Sequence, residues 1–90
     1  MQVTICGIPF QIVQVQSYRR DDYSFGSADA KMATITICAG MPVQVRAATL
    51  VHEWMHAVLA TNGVEHPESI VGVLATELYR QGFRVKVDDA

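Results

Sequence analysis

The chain has 90 residues, enough for one domain around one modest hydrophobic core. Half of the residues are hydrophobic and 18% are charged, a composition typical of globular proteins rather than disordered ones. The formal net charge of −2 excludes a strongly basic surface, so no nucleic-acid partner is expected. We therefore expect residues 1–90 to form a single domain.

The first ten residues, MQVTICGIPF, lack the basic start and the long apolar run of a signal peptide. No run of about 18 apolar residues predicts a transmembrane helix. Cys6 and Cys38 lie far apart in β-like apolar runs, which favours free core thiols over a disulfide. These features predict a cytoplasmic protein without a membrane partner.

The first half of the chain is rich in β-prone runs. QVTIC and FQIVQVQ flank GIP, which predicts two strands joined by a hairpin turn. Residues 17–31 are polar and contain Gly26, which predicts a long exposed connection. In its YRRDDY string the charges largely cancel, as in a solvated loop. MATITICAG alternates threonines with Ala33, Ile35 and Ile37, the pattern of a half-buried strand.

The second half of the chain predicts two helices. The first runs from about Pro42 or Val43 to Thr61, and Asn62 and Gly63 form its stop. Apolar residues recur along it at i, i+3, i+4 and i+7 spacing, which predicts a stripe packed on the core. This stripe consists of Ala47, Leu50, Val51, Trp54, Met55 and Val58.

The second predicted helix opens at Pro67 and runs to about Gln81, before Gly82. The final FRVKV run predicts either a short strand or a tail. The predicted core stripe of this helix consists of Ile70, Val71, Leu74, Ala75 and Leu78.

Within the first helix, TLVHEWMHAVLA contains the HExxH pattern, with His52, Glu53 and His56. Residues four apart lie on one helix face, so the two imidazoles can bind one zinc ion. Glu53 is rotated by about 100° from His52, which places it to reach a zinc-bound water as a general base. Without metal or partners, burying these polar groups near a core would be costly. The spacing therefore predicts a zinc site.

A catalytic zinc usually needs a third protein ligand. The candidates in the loop after the motif are Glu65 and His66, which would be held less rigidly there. Glu68 and Glu77 lie on the second helix, at opposite edges of its apolar stripe. Spacing along the helix does not choose between these two, because a helical hairpin could bring either one near His56.

Small residues favour Glu68, because Gly72 and Ala75 fall close to its face and would let the two helices approach closely. Glu77 shares its side with larger residues. An acidic residue in a first helical turn also stabilises the helix dipole, which would explain Glu68 without metal. Geometry therefore favours Glu68 and leaves Glu77 and His66 open.

GSADAKMATITI followed by TLVHEWMHAVLATNGVEHPESIVGVLA resembles the compact, often phage-encoded proteins related to ImmA/IrrE-type metallopeptidases, over roughly residues 23–80. In that group the third ligand is a glutamate early in an ExxxxxxA-like stretch. ESIVGVLA matches it with Glu68 first and Ala75 last, so the resemblance adds to the case for Glu68. Relatives often carry an acidic or amide group where this chain has Gly72. Their extra substrate-binding parts have no counterpart here.

The resemblance implies a minimal zincin-like α+β fold, with a small antiparallel β-sheet, an HExxH zinc helix and a second supporting helix. In such folds an edge strand beside the site binds an extended peptide by strand addition, and here that strand would be MATITIC. No oxyanion-stabilising side chain stands out. Tyr79 lies three turns beyond Glu68, and Tyr18 and Tyr23 fall in the polar connection.

Two functions follow from these predictions. The first is a zinc-dependent metallopeptidase that hydrolyses a protein substrate, such as a phage or bacterial regulatory protein. In it, Zn²⁺ is bound by His52, His56 and Glu68, and Glu53 is the catalytic base. The alternative is a non-catalytic zincin-like module with a structural zinc, which acts by binding a partner or a second copy of the chain. An open coordination position on zinc would favour the enzyme.

Overall fold

The computed structural model of the protein describes residues 1–16 and 25–88. These residues form a small α+β structure with one four-stranded sheet and two helices. The predicted α+β class and both predicted helices are confirmed. The elements are β1 (Gln2–Ile5), β2 (Ile8–Val15), β3 (Gly26–Asp29), β4 (Thr34–Cys38), α1 (Val43–Thr61) and α2 (Glu68–Arg80).

The sheet has the strand order β1-β2-β4-β3. The two outer pairs, β1 with β2 and β3 with β4, are antiparallel, whereas the central pair of β2 and β4 is parallel. The prediction of an antiparallel sheet is therefore wrong for the central pair. The parallel pairing arises because β3 occupies the edge of the sheet. β4 then lies between β2 and β3 and runs in the same direction as β2.

The predicted first hairpin is confirmed, but of the GIP residues only Gly7 lies in its turn, which consists of Cys6 and Gly7. Their φ angles are 52° and 79°, and two positive φ angles are what a two-residue type I′ turn requires. The ring of Pro9 restricts that residue to negative φ, so it lies in β2 instead. Cys6 is consequently exposed at the turn, which makes its prediction as a core thiol wrong.

The edge strand beside the helices is β3, which lies within the predicted exposed connection. β4 contains most of MATITIC and pairs on both sides, so the prediction of MATITIC as an edge strand is wrong. Because GSAD has no β-branched residue, β3 carries no local signal and is defined by its pairing with β4. The YRRDDY string, including Tyr18 and Tyr23, lies outside the described residues.

Helix α1 lies between the sheet and α2. The predicted stripe of α1 is confirmed, but Ile70 and Leu74 of α2 are 54% and 50% exposed. They are exposed because α2 packs mainly on α1, which covers only one side of α2. The buried core against the sheet consists of Val3, Ile5, Phe10, Ile35, Ile37 and Ala57. The buried cluster between the helices consists of Val51, Met55, Val71 and Ala75.

The connection between the helices sets the start of α2. Asn62 Nδ2 donates a 2.8 Å hydrogen bond to the carbonyl of Val58, and Gly63 has a φ of 69°. The predicted stop of α1 is therefore confirmed. After Pro67 the chain enters α2 at Glu68, so this carboxylate lies in the first turn of a helix that packs on α1.

Between Gly82 and Asp88 the chain returns to β1 without forming a further strand. Gln2 and Asp88 exchange two backbone hydrogen bonds of 2.8 Å, so FRVKV is part of a tail tied to the sheet by one bridge. Within residues 1–16 and 25–88, neither helix combines the length and apolar character that a membrane span needs.

Gly26 allows β3 to lie directly against α1. A Cβ atom there would lie 2.8 Å from the Thr36 carbonyl oxygen and 2.9 Å from Thr49 Cγ2. We expect Gly26→Ala to lower the free energy of unfolding by about 1–3 kcal/mol, measured by urea denaturation. Gly40→Ala is the control, because its Cβ would meet only Gln16 at 3.5 Å and should change stability by less than about 0.5 kcal/mol. Equal losses in both variants would contradict this packing.

Candidate metal centre

Three side chains meet where the first turn of α2 faces α1. The Nε2 atoms of His52 and His56 lie 3.2 Å apart. Each Nε2 also lies 2.6 Å from a different carboxylate oxygen of Glu68. One donor atom from each residue lies within 4.8 Å of the other two. This cluster can hold a metal ion.

The cluster follows from helix geometry and from the turn between the helices. His52 and His56 are one helical turn apart, and their ring centroids are 4.9 Å apart. Packing of Val71 and Ala75 on α1 brings the start of α2 back to these rings. Two imidazoles and one carboxylate are a donor set that suits zinc and similar divalent transition metals. The residues present therefore fit the predicted Zn²⁺.

Glu68 is the third-ligand candidate that the structure brings to both histidines. Glu77 lies nine residues further along α2, and its carboxylate is 3.8 Å from Arg80 Nη1. The His66 ring lies beside His56, with centroids 5.0 Å apart, but its nitrogens are outside the 4.8 Å cluster. Its Nδ1 lies 2.7 Å from the Val64 carbonyl oxygen. Glu65 is exposed in the loop and is also outside the cluster.

Glu53 lies next to this cluster but in a drier environment. Its side chain lines the same cleft, and the residue is only 7% exposed. Burial raises the pKa of its carboxyl from 4.5 to about 7; nearby His52 lowers it and nearby Glu68 raises it further. A carboxyl group with this pKa can both accept and release a proton near neutral pH.

His56 is shifted in the direction that suits metal binding. Burial lowers the pKa of its imidazole, while the negative charge of Glu68 opposes this shift. His52 and His66 act in the same direction as burial. The neutral imidazole is the form that ligates a metal, so a lowered pKa of His56 favours that form.

The cluster opens into a cleft of about 1010 Å³. Gly26 and Ala28 of β3 line one side of it, and Tyr79 of α2 lines another. A guanidinium covers the Tyr79 ring, with Arg84 Cζ 3.8 Å from the ring centroid. The sequence does not predict the contribution of β3 to the cleft, because glycine signals close backbone approach only within a recognised strand, and Gly26 lies in a predicted connection.

No family model, curated protein or solved structure matches the chain. The resemblance to ImmA/IrrE-type proteins therefore rests on the quoted residues alone and stays a prediction.

The stability of the metal-free protein should depend on pH through Glu53. Its folded-state pKa of about 7 lies above the unfolded value of 4.5, so folding favours the protonated form. The free energy of unfolding should therefore fall as pH rises from 4.5 to about 7. Glu53→Gln should remove this part of the pH dependence, measured by urea denaturation with a chelator present. Exposed Glu65→Gln should keep it; an unchanged profile in Glu53→Gln would refute the effect of burial.

Proposed function

We propose that the protein is a zinc-dependent metallopeptidase of the zincin type, which hydrolyses peptide bonds of a protein or peptide substrate. One observation carries this proposal: the HExxH histidines and Glu68 converge in an open cleft, with buried Glu53 beside them. His52, His56 and Glu68 would bind Zn²⁺. Three protein ligands, rather than four, are typical of catalytic zinc sites.

Each residue of the site has a distinct chemical part in this proposal. Zinc, when bound, supplies a Lewis acid that polarises the scissile carbonyl and lowers the pKa of water. Glu53 accepts the proton of the attacking water and then donates it to the leaving amine. Its side chain lines the cleft beside the three candidate ligands, which places it for both transfers.

The edge strand β3 is the surface on which we place an extended substrate. It is the terminal strand of the described sheet, and Gly26 and Ala28 line the cleft that holds the metal cluster. A peptide added to β3 would run past His52 and Glu53, and main-chain hydrogen bonds would hold it. β3 thus takes the part that was predicted for MATITIC.

Cleavage of an unfolded protein such as casein tests this function. We expect fragments, identified by mass spectrometry, to form with the zinc-loaded protein, to stop forming with a chelator, and to return when zinc is restored. Cleavage that continues in the chelator would exclude a metal-dependent mechanism.

A second candidate is a zinc-binding module that cleaves nothing and acts by protein–protein interaction. The outward face of α2 favours it, because Ile70, Val73 and Leu74 are 54%, 70% and 50% exposed. A partner protein or a second copy of the chain would cover such a face. Stoichiometric zinc without cleavage of any unfolded substrate would favour this module over the enzyme.

A further inference from the structure

A second groove, of about 630 Å³, runs along α2 and reaches His52. Gly72, Ser69, Thr76 and Arg80 of α2 line it. The groove adjoins the main cleft, because His52, Thr76 and Arg80 line both, so one metal-ligand candidate is reached from the groove as well as from the cleft. The proposed peptidase mechanism has no use for the second surface.

Gly72 provides the opening to His52. A Cβ atom at Gly72 would lie 3.9 Å from His52 Cε1, which is an ordinary contact, and the residue has no positive φ. Glycine inside a helix lowers stability by roughly 0.5–1 kcal/mol relative to alanine. Neither the backbone nor the packing requires glycine here, and its effect is to leave the edge of the His52 ring open.

The open edge of the His52 ring adjoins Nδ1, a nitrogen without a hydrogen-bond partner among the described residues. Its Nε2 faces Glu68 and His56, and Cε1, which faces Gly72, is bonded also to Nδ1. Within residues 1–16 and 25–88, Nδ1 has no hydrogen-bond partner. A histidine that binds metal usually donates its other N–H to an acceptor, which orients the ring and strengthens binding. The groove is the path by which an acceptor could reach this nitrogen.

The groove around His52 is rich in hydrogen-bond donors. The Arg80 guanidinium and the hydroxyls of Ser69 and Thr76 line it, together with the His52 ring. Glu77 is the one carboxylate among the lining residues, and it lies beside Arg80 at 3.8 Å. A carboxylate from another molecule would match these donors better than a neutral or cationic group would.

We propose that this groove binds a carboxylate group supplied by another molecule, and that the carboxylate accepts a hydrogen bond from His52 Nδ1 and strengthens metal binding. The proposal rests on the metal site of the proposed function and not on peptidase activity. It makes the metal site dependent on a second ligand, because residues 1–16 and 25–88 provide no hydrogen-bond acceptor for His52 Nδ1.

The first test places the carboxylate on the chain itself. We expect Gly72→Asp to bind zinc about 10–100-fold more tightly than Gly72→Ala, measured by competition with a chromophoric chelator. The alanine variant controls for the change in helix propensity. Leu74→Asp adds the same charge at an exposed position of α2 outside the groove and should match wild-type affinity. Equal zinc affinity in Gly72→Asp and Gly72→Ala would overturn the proposal.

The second test supplies the carboxylate in solution and distinguishes its sources. Zinc affinity of the wild type is measured in the presence of acetate. It is also measured with the peptide acetyl-Leu-Asp-Leu-amide, and the same peptide with Asn in place of Asp is the control. Tightening by acetate indicates a free anion as the source, and tightening by the Asp peptide alone indicates an acidic side chain of a protein. Gly72→Leu fills the groove but leaves the main cleft open, so it should lose either effect. No tightening, or equal tightening in Gly72→Leu, would overturn the proposal.

These outcomes distinguish failure of the metal site from failure of the carboxylate groove. If none of the proteins binds zinc, the metal site itself fails. If all of them bind zinc with equal affinity, the metal site stands and only the carboxylate groove fails.

Discussion

Glu53→Gln is expected to leave zinc binding intact and to lower kcat for peptide cleavage by about 10²–10⁴-fold. Glutamine keeps the size of the side chain but accepts no proton from the attacking water. Because Glu53 is outside the cluster of His52, His56 and Glu68, its loss removes no proposed ligand. Cleavage rates and zinc affinity should therefore respond separately to this substitution.

The control for this result is Glu65→Gln, which removes the same charge from the exposed loop and should keep wild-type kcat. Zinc affinity of both variants is measured by chelator competition, so that a lower rate is compared at equal metal occupancy. A fully active Glu53→Gln protein would remove Glu53 from the mechanism and leave the HExxH motif as a metal site alone.

Glu68→Gln is expected to weaken zinc binding by more than about 100-fold. Loss of a residue that only supports a metal ligand costs up to about 100-fold, and loss of a ligand should cost more. Its two carboxylate oxygens lie 2.6 Å from the Nε2 atoms of His52 and His56, so Glu68 closes the cluster. An amide has no negative charge and is a poorer ligand for a divalent ion. Chelator competition measures the loss.

Glu77→Gln is the matched control, because it removes the same charge from the same helix but lies outside the cluster. It should keep wild-type zinc affinity. If both variants lose zinc affinity equally, long-range charge on α2 explains the loss; if neither loses affinity, Glu68 does not bind the metal. Either result would make its assignment as a ligand wrong.

The helices could be predicted because their signals are local. Pro42, Asn62–Gly63 and Pro67 mark their ends within one residue of the structure. The HExxH spacing likewise places His52 and His56 on one face whatever surrounds them. These features depend on the backbone of a single helix, so a sequence pattern is enough to find them.

The sheet could be predicted only in part, because its order depends on pairing between distant segments. β4 was found from its alternating pattern, but nothing in that pattern showed that β3 pairs along its outer side. The four residues of β3 have no strand propensity of their own. The parallel pairing of β2 with β4 then follows from the position of β3, and it could not be predicted from the sequences of β2 and β4 themselves.

The candidate for the third ligand could be chosen only from the packing of the two helices. Spacing along α2 left Glu68, Glu77 and the loop residue His66 as candidates, since the angle between two helices is not encoded in either one alone. Burial of Val71 and Ala75 against α1 brings the Glu68 end of α2 to the histidines. The burial of Glu53 is also a tertiary effect, because Gly26 of β3 lies close to its side chain.

The most direct test of the account is the zinc content of the purified protein, measured by mass spectrometry of the metal after dialysis against zinc-limited buffer. We predict one zinc ion per wild-type chain and none in His56→Ala. His66→Ala removes a neighbouring imidazole outside the cluster and should keep its zinc. A folded wild-type protein that binds no zinc, or a His56→Ala protein that keeps it, would contradict the metal centre described here.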